Sequence, residues 1–176
     1  CTLCGFSNVF AQTYPLAGVK AANSDPPAGN MSTYSFEFDP NGQSPKIFDV
    51  IIIDFPKPPT SDNFDVSGAS ILTEAVTGQL IIIHAGPSLI DPDRQELQLM
   101  RVNGPLPADP ALELATNHIF AITGVKNTSY ATNDYFRVDI KVLRSEYGLD
   151  PLGPNQSDPP FNILAGGPDQ IKFLEQ

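Results

Sequence analysis

Asp134-Tyr135-Phe136-Arg137-Val138-Asp139-Ile140-Lys141-Val142-Leu143 is the stretch that decides the fold class. Phe136, Val138, Ile140 and Val142 alternate with Arg137, Asp139 and Lys141. Side chains two apart share a face on a strand and lie on opposite sides of a helix. The pattern therefore predicts a strand over 134–143, with the first set pointing into a core and the second pointing out.

The same grammar recurs along the chain. Ser32 to Phe38 places Tyr34, Phe36 and Phe38 on one face and Thr33, Ser35 and Glu37 on the other. Ile47 to Phe55 reads as a strand stopped by Pro56, Pro58 and Pro59, since proline cannot donate to a ladder. Ala69–Glu74 and Gln79–His84 flank Thr77-Gly78 and predict a hairpin. Glu96–Val102, His118–Gly124 and Gln170–Leu174 complete the series. The apolar runs Val50–Ile53 and Leu80–Ile83 both read as buried strands. Asp109-Pro110 supplies a helix start, with two turns at most over 111–116. Proline, at 18 of 176 residues, is about twice its usual ~5% share and punctuates turns. Six Asp-Pro pairs and two copies of Ser-Asp-Pro-Pro, at 24–27 and 157–160, mark those turns. Short strands at regular spacing with frequent turn signals predict an all-β sandwich.

Residues 1–28 read as an N-terminal arm and linker, and 29–176 as the sandwich domain. The arm holds Phe6, Val9, Phe10 and Tyr14, and Asn23-Ser24-Asp25-Pro26-Pro27-Ala28-Gly29-Asn30 supplies the turn-rich linker. The net charge of −10 repels phosphate backbones and excludes nucleic acid as a main partner. No run approaches the ~20 apolar residues of a transmembrane helix. Cys1 and Cys4 lack the further ligands a zinc site needs. They leave two readings, a lipid anchor at Cys1 as in bacterial lipoproteins, or a disulfide in an oxidising compartment.

Candidate sites are few. His84 and His118 have no Gly-x-Ser-x-Gly elbow to serve, so no catalytic residue is expected. Three Asn-x-Ser/Thr sequons make Asn30, Asn127 and Asn155 glycan acceptors, with at least one expected to be occupied. Asp62 and Asp65, with Asn63, form one oxygen-rich loop. Asp91 and Asp93 form a second, and Asn133 and Asp134 a third. Hard cations take carboxylates and loop carbonyls, so calcium is the metal these loops suit. Solvated turns are the plainer reading, and no cofactor is required.

Four stretches together resemble a known kind of module: Ser32–Phe38, Val50–Pro56, Asn63–Ala69 and Asn117–Asn127. They carry a Tyr-x-Phe-x-Phe strand, an apolar strand ending in Phe-Pro, a Phe-Asp-x-Ser-Gly turn and an Ile-x-Gly-Val-x-Asn turn. The pattern is similar to immunoglobulin-like β-sandwich modules of prokaryotic secreted and surface-layer proteins. The resemblance implies an immunoglobulin-like or jelly-roll-type sandwich with extracellular structural duty and no active site. The expected function is a non-catalytic subunit of an extracellular filament, pilus-like fibre or surface coat. Its partners would be copies of itself, joined head-to-tail when the arm donates a strand to a neighbour. The alternative is a secreted or lipid-anchored carbohydrate-binding or adhesive module.

Overall fold

A computed structural model describes residues 16–39, 47–60, 62–72, 80–102, 118–143, 151–158 and 160–165. Eleven strands run through them and no helix does. They are β1 Ala17–Asn23, β2 Met31–Asp39, β3 Val50–Phe55, β4 Ser70–Ile71, β5 Leu80–Pro87 and β6 Gln95–Arg101. Then follow β7 His118–Lys126, β8 Thr132–Phe136, β9 Asp139–Leu143, β10 Pro151–Gln156 and β11 Phe161–Ile163. One antiparallel sheet has the order β1-β2-β7-β4 and the other β10-β9-β3-β6-β5, while β11 and β8 form a small pair. The chain is an all-β sandwich of two antiparallel sheets, as the alternation predicts.

The core is where the inward faces of the sheets meet. β2 contributes Tyr34, Phe36 and Phe38, β7 contributes Phe120 and Ile122, and β3 contributes Ile51, Ile53 and Phe55, all fully buried. Phe55 meets Tyr34 edge-on at 5.3 Å and Phe36 at 6.3 Å, which ties the sheets together in a geometry aromatic rings favour. Phe64, Phe136 and Phe161 extend the cluster beneath the β8–β11 pair.

The predicted 134–143 strand is two strands. Phe136, Val138, Ile140 and Val142 are buried as expected. Between Phe136 and Asp139, however, the chain leaves β11 and joins β3 and β10. Ser157 secures the step: its amide donates to the Val138 carbonyl, and its hydroxyl accepts from the Val138 amide at 3.2 Å. Alternation survives because both partners lie against one core. The expected 69–84 hairpin is also corrected. β4 pairs with β7 and β5 with β6, so the connection passes from one sheet to the other.

Residues 17–23, expected within the arm and linker, form β1 and pair with β2, burying Val19 and Ala21. The turn after β1, over 23–30, is bonded into the body. The Ser24 amide donates to the Thr33 carbonyl, the Ala28 amide to Leu164 O, and Gly29 N to Thr128 O. Small residues hid β1: Ala and Gly carry little strand preference, and burial beside β2 overrides it. The expected strand 170–174 and helix over 111–116 lie outside the described residues.

The turn motifs have physical reasons. Asp65 Oδ1 accepts from the Ser67 amide at 2.9 Å and closes a local turn. The Asp65 and Lys126 backbones exchange amide bonds at 2.8–3.0 Å. That brings Gly68 against Gly124, where a Cβ would stand 2.2 Å from the Gly68 carbonyl oxygen, at a φ of +79°. Only glycine fits there without moving backbone.

Candidate interaction surface

β5 closes the five-stranded sheet. β6 covers one side of it, and no strand among the described residues pairs with the other. An open edge offers unpaired N–H and C=O groups to another chain, and proteins usually guard such edges with charges, prolines or bulges. No Lys, Arg, Asp or Glu lies between Leu80 and Pro87. The guards present are a register shift between Ile82 and His84, and Pro87 at the end. Leu80 is buried and Ile82 packs on the core, while Ile81 and Ile83 are 41% and 45% exposed. The expectation that Leu80–Ile83 is a buried strand is therefore corrected: its partners cover one face only.

An apolar loop stands at the far end of this edge. On the opposite side of β6, just before β3, the Phe48 amide donates at 2.7 Å to the carbonyl of Arg101. Phe48 is exposed and holds φ at 72°, a region bulky side chains avoid. At the far end, residues 88–94 form a loop. The Ser88 amide bonds Arg94 O, the Arg94 amide bonds Asp91 O, and the buried Ser88 hydroxyl accepts from the Ile90 and Asp91 amides. This loop holds Leu89 and Ile90 out at 74% and 84% exposure.

Beneath the loop, on the outward face of the sheet, lies a row of acids. Asp139, Asp54 and Glu96 are register neighbours on β9, β3 and β6. Asp54 and Glu96 are only 3% and 1% exposed. Lys141 Nζ lies 2.5 Å from Asp54 Oδ2. Arg94 donates to Asp139 Oδ2 at 2.8 Å and to the Phe55 and Asp54 carbonyls. Glu96 accepts from Ser88 Oγ at 2.9 Å and from Gln98 Nε2 at 2.5 Å. Asp54 Oδ1 is buried and meets no donor, and the group across the strand pair is the Glu96 carboxylate. Burial, and then the nearby Glu96 charge set against the Lys141 bond, leaves the Asp54 carboxyl above its ordinary range. Burial also works against ionised Glu96, but bonds from Gln98, Ser88 and Asp54 outweigh it and hold that carboxyl below its range.

The other predicted sites are scattered. Asn127 is corrected as a glycan acceptor: it is buried, its Oδ1 accepts from the Tyr34 hydroxyl at 2.6 Å, and its Nδ2 donates to Asp25 O and Pro27 O. Both amide protons are used, and the residue is 1% exposed. Asn30 is exposed, with Nδ2 on Asp25 Oδ2 at 3.1 Å. Asn155 falls on β10, and its side chain lies outside the described set.

Two of the three acidic loops come together, since Asn63 Nδ2 donates to Asp93 O at 2.6 Å. Their carboxylates are occupied. Asp62 accepts from Ser129, Asp65 from Ser67, Asp91 from the Asp93 amide, and Asp93 pairs with Lys57. Ser129 and Ser67 hold Asp62 and Asp65 below the usual carboxylate range. Among the described residues no group of three or more His, Cys, Asp and Glu is arranged to hold a metal ion. His84 Nε2 donates to the Pro87 carbonyl at 2.9 Å. Cys1, Cys4, Phe6, Val9, Phe10 and Tyr14 lie outside the described residues. The open edge was missed although its signal was present: an uncharged strand next to a Pro-rich loop.

No family model and no curated protein matches the chain. Among solved structures it is similar to an uncharacterized protein from Nocardia farcinica with an immunoglobulin-like fold, at 14% identity and TM-score 0.45, covering 84% of this chain and 98% of that one. It is similar to a cohesin–dockerin complex chain from Clostridium thermocellum at 10% identity and TM-score 0.40, covering 84% and 94%. A third is a family 3b carbohydrate-binding module from the biomass-sensing system of Clostridium clariflavum, at 17% identity and TM-score 0.41, covering 78% and 95%. Among the described residues no helix is long and apolar enough to cross a membrane.

Proposed function

We propose that this chain is a non-catalytic adhesive module acting outside the cell, which captures a partner protein along the β5 edge. One observation carries the reading: Ile81 and Ile83 stand exposed on an uncharged open strand, continued by Leu89 and Ile90. An extended partner segment would add its backbone to β5 and cover these side chains. A large apolar side chain taken fully out of water is worth roughly 1.5–3 kcal/mol, so covering what these four still expose would favour binding. The net charge of −10 favours a donor segment that is apolar and neutral or basic. Carbohydrate is the weaker ligand. Among the described residues most of the aromatics a sugar could stack on lie inside, with Tyr34, Phe36, Phe38, Phe55, Phe64, Phe120, Phe136 and Phe161 buried and Phe48 exposed. Selection of displayed peptides on the protein, followed by amide shift mapping, tests the reading. Extended apolar peptides that perturb β5 support it. Peptides that bind only elsewhere sink it.

The open edge also favours a second reading, in which the donor is another copy. Residues 3–14 hold Phe6, Val9, Phe10 and Tyr14 and no charged residue, so this segment, ahead of the buried Leu16, suits the same edge. The assembly would then be a head-to-tail filament. Negative-stain images should show fibres for the native chain and none for the Ile81→Glu/Ile83→Glu variant. Monomers in both would remove this reading and leave the adhesive one.

A further inference from the structure

We propose that Asp54 and Glu96 share one proton and together form a pH-sensitive latch on the 88–94 loop. The inference rests on the adhesive reading for its purpose, because this loop presents Leu89 and Ile90. Its physics stands on the sheet. The two carboxyls are register partners on adjacent antiparallel strands, share the outward face and are almost wholly buried. The charges that face them are few. β9 brings Lys141 to Asp54 and carries Asp139; the loop brings Arg94 to Asp139; β5 brings His84 near Glu96. With His84 neutral, Asp54, Glu96 and Asp139 carry three negative charges when ionised, against two positive charges from Lys141 and Arg94.

One proton balances the row. Placed on Asp54 Oδ1, it turns a buried oxygen without a donor into a donor to Glu96. Glu96 stays ionised, accepting from Ser88 and Gln98 as well. Ser88 is the hinge of the loop, since its hydroxyl points to Glu96 and accepts from the Ile90 and Asp91 amides. Loss of the proton sets two buried carboxylates side by side, and like charges so placed disfavour each other. The row relaxes by letting water in, and the Ser88–Glu96 bond is what water replaces. Below that transition the loop is held; above it the loop loosens.

The test uses the full chain with no partner present. Carbon-detected NMR reads the Asp54 carboxyl across pH, and hydrogen exchange reads the Ser88, Ile90, Asp91 and Arg94 amides. The proton should stay on Asp54 well above the ordinary Asp value of about 3.9. Loop protection, corrected for intrinsic exchange, should fall at least about tenfold as that proton leaves, a loss of about 1.4 kcal/mol. Asp54→Asn keeps a donor toward Glu96 and should make protection independent of pH, as should Glu96→Gln if the first variant fails to fold. An Asp54 carboxyl that titrates in the ordinary range overturns the latch. So does wild-type pH dependence in either variant. Since neither readout involves a ligand, a working latch with no peptide capture at β5 would overturn the adhesive reading alone.

Discussion

Ile51-Ile52-Ile53-Asp54 and Ile81-Ile82-Ile83-His84 share three residues and differ at the fourth, and both lie in the same sheet. In β3 all four are buried, since strands flank it on both sides and side chains cover both faces. In β5 the first and third isoleucines are exposed and the histidine is half-buried. The difference lies in sheet position. Among the described residues β3 has β6 and β9 beside it, whereas β5 has β6 alone. An isoleucine triplet therefore builds a core in one place and an exposed sheet margin in the other. The polar residue that follows takes its role from the same neighbours: Asp54 enters a buried acid row, and His84 bonds a nearby turn.

The largest expected effect breaks the comparison at its buried member. Ile53→Ala should cost ~2–5 kcal/mol in urea unfolding, because a closed core leaves a cavity. A loss near that of an exposed site would mean that β3 is not the packed centre.

The edge comes next. Ile81→Glu with Ile83→Glu should weaken capture of β5-binding peptides by more than about tenfold, or ~1.4 kcal/mol, with the melting temperature nearly unchanged. Unaltered capture would show that β5 is not the working edge.

The fourth position of each run is compared through pH. The folded Asp54 carboxyl lies above its unfolded value, so its contribution to stability is complete below the unfolded value of about 3.9 and is lost as pH rises through the folded one. Glu96 is held lower than its unfolded value, so its contribution is lost as pH falls through the folded one. Thermal melts should show stability declining from the ordinary carboxylate range toward higher pH, and Asp54→Asn should flatten that limb. A wild type flat over the same range would separate Asp54 from the protonated role.

The smallest effect is Ile83→Ala, expected within about 0.5 kcal/mol in the same unfolding assay, as for exposed positions generally. A cost comparable to Ile53→Ala would mean that a further part of the chain covers β5.

Much of the fold was legible because period two survives any arrangement of neighbours. Tyr34, Phe36, Phe38, Phe136, Val138, Ile140 and Val142 point inward as their alternation requires. β1 was not legible, because Ala17-Gly18-Val19-Lys20-Ala21 has weak local preference and becomes a strand only against β2. The break inside 134–143 was silent for the opposite reason, since a chain that changes partners without changing faces keeps its pattern. Asn127 shows the limit of a local motif. Asn-Thr-Ser reads as a glycan acceptor on any chain, while the carbonyls of Asp25 and Pro27 that consume its amide come from about a hundred residues away.

The sequence by itself determined the class: alternating faces, prolines at the turns and an acidic exterior permit a β-sandwich and little else. Tertiary structure decided which isoleucines are core and which are surface, that Asp54 faces Glu96, and that Asn127 is a buried brace. These are pairings set by burial and sheet order between residues as far as about a hundred apart, and local side-chain pattern carries no record of the partner it will meet.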